Sequence, residues 1–171
     1  MKRDIVVLVV AVISAVIVGA FIFVSNGGNL ASVFSTVTDN GKKTKVVQFT
    51  EIARGSQSAI DRRVNYFITS RDQFNRLWET IGASGTPPAV DFETHAVIAV
   101  FAGQEPTASY GIKVAKIEDT DKRMVSITLA KPDDDCTAAQ VVTMPYQLIV
   151  LPTTSLPLAH EDEAVEINCS S

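Results

Sequence analysis

Histidine, cysteine and tryptophan are scarce in this 171-residue chain, with two, two and one copies. His95 and His160 are too few to build a metal centre, and Cys136 and Cys169 stand thirty-three positions apart with no C-x-x-C pair. The four nitrogen or sulfur ligands that structural zinc takes are therefore not found at their usual spacing. Nine glycines and seven prolines exclude collagen-like and low-complexity compositions. Positive charge is also short where it would matter. Residues 45–171 hold eleven Lys/Arg against seventeen Asp/Glu, a net of −6. Phosphate recognition needs a clustered positive field, so nucleic acid is not an expected partner.

One stretch lacks charge altogether. Ile5 to Val24 is a run of twenty residues with no charged residue and no proline. At 1.5 Å per residue a helix of that length spans about 30 Å, the hydrocarbon thickness of a bilayer. Lys2 and Arg3 precede it and no basic residue follows until Lys42. The positive-inside bias then puts residues 1–4 in the cytoplasm and everything after the 5–24 anchor outside, at the cell membrane, as a single-pass protein. The rival reading is a cleaved signal ending near Val18-Gly19-Ala20, against which the apolar run continues through Phe21-Ile22-Phe23-Val24. Both readings export the rest of the chain. Residues 25–44 are rich in Gly, Ser, Thr and Asn and read as a linker.

Beyond it, Lys45 to Arg54 and Arg62 to Thr69 alternate as strands around a Gly55-Ser56-Gln57-Ser58 turn. Ser70-Arg71-Asp72-Gln73 has the form of a capping box, and Phe74, Leu77, Trp78 and Ile81 make one helical stripe closed by Gly82. Ala96 to Phe101 is a continuous apolar run suited to a central strand. Tyr110–Glu118 and Met124–Ala130 read as a hairpin, and Gln140–Leu151 as a last strand that Pro145 bends or places at an edge. The expected fold class is α+β: an N-terminal transmembrane helix, then a mainly antiparallel sheet, curled or closed into a small barrel, with one packed helix. Residues 45–152 form the domain and 153–171 an acidic C-terminal tail.

Several stretches together carry a likeness. They are Gly55-Ser56-Gln57-Ser58 with Arg62-Arg63, Leu77-Trp78, Val90-Asp91-Phe92, Val100-Phe101-x-Gly103, Pro106-Thr107-x-x-Tyr110-x-Ile112, and Cys136 with Val141, Pro145 and Tyr146. As a composite, residues 45–152 resemble the C-terminal domain of PrcB-type protease complex subunits. The resemblance implies a protein-associating, non-catalytic role. The family usually reads Thr-Gly-Gly-Tyr where this chain has Thr107-Ala108-Ser109-Tyr110. That change removes two residues that adopt positive φ freely.

Candidate chemistry is thin. Gly82-Ala83-Ser84-Gly85 falls short of a nucleophile elbow, and Ser56 and Ser58 sit in a turn where serine ordinarily serves backbone hydrogen bonds. Asp133-Asp134-Asp135, with Asp119 and Asp121, lacks the glycine and closing glutamate of a calcium loop. His160-Glu161-Asp162-Glu163 with Glu166 reads as an acidic tail. No catalytic residue, metal ligand or cofactor is expected. Asn168-Cys169-Ser170 fits a glycosylation sequon. Cys136 and Cys169 in an exported domain either pair or remain free thiols. Pro106, Thr107, Tyr110, Pro145 and Tyr146 are the most interaction-like residues, because tyrosine joins apolar area to a polar tip. A core role for each tyrosine is the competing account.

The expected function is a membrane-tethered extracytoplasmic binding module that associates with or stabilises a protease or another protein of the cell envelope. Protease inhibition through β-domain loops and a purely structural envelope role are the alternatives. An enzyme is the remaining one, with no nucleophile, base and oxyanion set to name.

Overall fold

The structure, a computed structural model, describes residues 43–134, 136 and 139–168. The 5–24 segment lies outside them, and among the described residues no helix is long and apolar enough to cross a membrane. Eight strands and one helix follow in order: β1 Lys45–Val46, β2 Thr50–Gly55, β3 Val64–Ile68, α1 Arg71–Thr80, β4 His95–Phe101, β5 Gly111–Asp119, β6 Arg123–Pro132, β7 Tyr146–Pro152 and β8 Leu158–Ile167. They form two four-stranded sheets, β1-β5-β6-β8 and β2-β7-β4-β3.

This overturns the expected α+β fold with its single curled sheet or small barrel, while the transmembrane helix expected over 5–24 falls outside the described residues. The described residues are mainly β, with two sheets and one short helix. Alternation marks a strand and its buried face but not its neighbour, so the strands read from the pattern do not declare how many sheets they share. Leu158–Ile167 is a strand although its sequence reads as an acidic tail. It runs parallel to β6 over ten rungs, from Arg123↔Leu158 to Pro132↔Ile167. The chain reaches it from β7 in the other sheet, so no tight turn forces the two strands antiparallel.

Two cores result. Ile98, Val100, Ile149 and Leu151 from one sheet meet Ile112, Val114, Ile117, Val125 and Ile127 from the other. On the far face, Val97, Ala99, Phe101, Tyr146 and Leu148 pack against Phe74, Trp78 and Ile81. The sheet containing β4 is thus covered on both faces, which is why 96–101 carries apolar residues without alternation.

The helix forms where its caps predict. Ser70 Oγ accepts from the Gln73 amide at 3.4 Å, and Gln73 Oε1 accepts from the Thr69 amide at 3.1 Å. The Trp78 indole donates to Gly85 O at 3.1 Å. Arg71 donates to the carbonyls of Pro88 and Val90 at 2.9 and 2.7 Å, pinning the extended Pro87-Pro88 connection.

The two long sides of the paired sheets differ. On one, a single stretch serves both sheets. Its β1 part pairs with β5, Val47 N donates to Ile117 O at 2.9 Å, and its β2 part pairs with β7. Buried Gln147 seals this side, accepting from the Val114 amide at 2.6 Å and donating to Glu51. The β5 bulge between Val114 and Lys116 lies beside this bond. On the other side, β3 and β8 are the outer strands of their sheets. The bidentate pair from Arg63 to Asp162, at 2.8 and 2.7 Å, spans them.

Candidate functional site

Two loops at one end of the sheets hold the interaction-like residues, and they are fastened to each other. The backbones of Glu105 and Thr143 exchange hydrogen bonds at 2.8 and 3.0 Å, and the Ala108 amide donates to Ala139 O at 3.2 Å. Thr143 Oγ1 donates to Thr107 O at 3.0 Å. Further along, the Met144 amide donates to Ser56 O and the Gln57 side chain to Val142 O. The 105–110 segment is therefore docked on 139–144 and does not stand free of the sheets. Burial pushes the Glu105 carboxyl above the ordinary glutamate range. Thr107 Oγ1 is buried with no hydrogen-bond partner among the described residues.

The five expected binding residues divide. Pro106 is exposed, Thr107 and Tyr110 are half-buried, and Pro145 and Tyr146 are buried. Pro145 immediately precedes β7 and its carbonyl accepts from the Ala102 amide at 3.0 Å. Tyr146 belongs to the helix-side core, stacking on Phe101 with ring centres 5.9 Å apart. Its ring also lies over the backbone of Gly55, where an added Cβ would come within 2.6 Å of the ring. Tyr110 and Tyr146 nevertheless share an open groove of about 360 Å³ with Arg54, Ser56, Ile112 and Pro145. The groove lies between the end of β2, where Gly55 is still paired with Tyr146, and the start of β5 at Gly111.

Sequence reading singled out the tyrosines but gave no role to Val142, and placed Val141 only within the family likeness. Both are exposed on the 139–144 loop. With Pro106 and Ala108, also exposed, they give this pair of fastened loops an apolar surface. The sequence pattern puts both valines inside a Gln140–Leu151 strand, whereas β7 begins only at Tyr146 and leaves them on the loop before it.

The remaining candidates take structural places. Ser58 Oγ accepts from the Ile60 amide at 3.3 Å. Asp119 is engaged twice by Arg123, and the adjacent guanidinium holds its carboxyl below the ordinary aspartate range. Asp162 is engaged by Arg63, and Glu161 accepts from Ser126 Oγ at 2.8 Å. Asp135 lies outside the described residues. Cys136 is disulfide-bonded, and the pairing expected with Cys169 falls on a residue outside those described. Among the described residues no group of three or more His, Cys, Asp or Glu side chains is placed to hold a metal ion.

Residues 96–152 match the family described as PrcB C-terminal, so the likeness read from the sequence holds over that segment. The match takes in β4 to β7 and both fastened loops, and leaves β1 to β3, α1 and β8 outside. No curated protein and no solved structure matches the chain.

Proposed function

We propose that this chain is an extracytoplasmic protein-binding module, held at the membrane by its 5–24 apolar run, that associates with a protease or another envelope protein. The observation that carries the reading is the fastened loop pair: exposed Pro106, Val141 and Val142 beside the groove of Tyr110 and Tyr146. A surface already ordered by its own hydrogen bonds loses little conformational freedom on binding, so its apolar contacts convert efficiently into affinity. The PrcB C-terminal match covers both loops and supports association with a protease complex over an unrelated binding role.

Site-specific photocrosslinking from position 142 in intact cells tests it. The expected result is one dominant protein adduct that Tyr110→Ala reduces. Equal labelling from Val142 and from an exposed position on α1, such as Glu79, would refute the assignment.

A further inference from the structure

The side of the paired sheets bounded by β3 and β8 is unfinished in a way the opposite side is not. Phe67 is opposite Ile98 and Leu158 is opposite Arg123, and both rungs face the core between the sheets, as Ile98 and Val125 do. Residues on such faces are ordinarily covered. Phe67 and Leu158 are instead 42% and 43% exposed, whereas Val47, on the closed side, is 6% exposed. Between the two lips lies an opening of about 260 Å³ floored by Ile98, Val125 and Ile127, with His160 at its rim.

β8 also has one neighbour, β6, so its other edge carries backbone groups unpaired among the described residues. Its rungs fix which side chains face which way. Val125↔His160 and Ile127↔Asp162 lie on the inner face, while Ser126↔Glu161 and Thr128↔Glu163 lie on the outer one. An incoming strand would therefore meet, on one face, the apolar opening beside the Arg63–Asp162 pair, and on the other the carboxylates of Glu161 and Glu163.

We propose that this side is a docking surface for an extended segment of a partner protein, added as a strand along β8. Its inward residues are apolar and fill the opening between Phe67 and Leu158. Its outward residues are Lys or Arg, opposite Glu161 and Glu163. Backbone hydrogen bonds supply the affinity in such strand addition, and alternate side chains supply the choice of partner. The same carboxylates argue against a second copy adding through its own β8, since like charges would stand opposite each other. The proposal does not depend on the fastened-loop reading, because the two surfaces share no residue.

The test titrates the full chain with a labelled peptide of about ten residues alternating Lys with Val, matched in length to β8. Saturable binding is expected, weakening as salt is raised. It should fall at least about tenfold with Glu161→Lys/Glu163→Lys and with Phe67→Ser, and be lost when alternate peptide amides are N-methylated. Tyr110→Ala should leave it unchanged. Trp78 fluorescence checks that each variant is folded. Equal binding of the Glu-for-Lys peptide, indifference to N-methylation, or no saturable binding would overturn the proposal. So would self-association of the chain that the β8 variant abolishes, which would make a second copy the occupant.

Discussion

Replacing Arg123 by Met should cost more stability than any other single charge removal in the described domain. The residue is 3% exposed at the start of β6. It donates twice to Asp119 at 2.8 Å and once to Pro152 O at 2.5 Å, joining the end of the β5–β6 hairpin to the end of β7 in the other sheet. Met fills much of the same volume but leaves the poorly exposed Asp119 carboxylate and a carbonyl without their donor. Breaking a buried pair from one side costs about 3–5 kcal/mol, which at roughly 3 °C per kcal/mol lowers Tm by about 9–15 °C.

The pH dependence follows from the direction of the Asp119 shift. Its folded pKa lies below the unfolded value of 3.8, so the stabilisation is complete above that value and is lost as pH falls through the folded pKa. The gap between the parent chain and Arg123→Met should be constant near neutrality and narrow below about pH 4. Urea unfolding followed by the fluorescence of Trp78, the sole tryptophan, measures both. A loss under about 1 kcal/mol, or a gap that stays unchanged down to about pH 2, would refute the reasoning. Arg123→Met/Asp119→Leu should recover most of the loss, because an apolar pair leaves no charge unpaired.

Gly103→Ala should destabilise severely, since φ is +92° and the new Cβ would lie 2.8 Å from Arg63 N; thermal melting should show it, and a normal Tm would refute the close approach. Trp78→Ala should cost about 3–5 kcal/mol through the lost packing against Phe74, read in urea by circular dichroism. Tyr110→Ala, at a half-buried position, should weaken partner capture by roughly 2 kcal/mol or more while leaving Tm nearly unchanged, and a large fall in Tm would reassign the ring to the core. Reducing the disulfide of Cys136 should lower stability by about 2–4 kcal/mol, with thiol titration before and after reduction confirming that the bond was present.

Local signals in the sequence served well where the structure is local. The Ser70 cap and the Phe74-Leu77-Trp78-Ile81 stripe located α1, and alternation on either side of Asp119–Arg123 located the β5–β6 hairpin. The β8 strand was hidden because its charged residues fall on both faces, so no apolar alternation survives to be counted. The division into two sheets was hidden for a different reason. It depends on Lys45–Gly55 changing partners near Phe49, a choice made by β5 and β7 far along the chain. The site shows the same split. Tyr146 looked like Tyr110 as residue type and loop position, and only the glycine at position 55, left bare for its ring, separates a core tyrosine from one lining the groove alone.

The stretch that belongs to both sheets also sets the order in which the molecule can assemble. Thr50 pairs with Val150, a hundred positions later, and Lys45 with Asp119. The other pairings outside the β5–β6 hairpin close shorter but still non-local loops, the shortest at Ile68↔Val97, and domains dominated by such distant contacts fold in milliseconds to seconds. As the chain is made, the helix and the hairpin can form early, while β2 waits for β7. The strand that joins the two sheets is thus among the first synthesised and the last to find its partners, and until it does, Val47 and Phe49 remain in water.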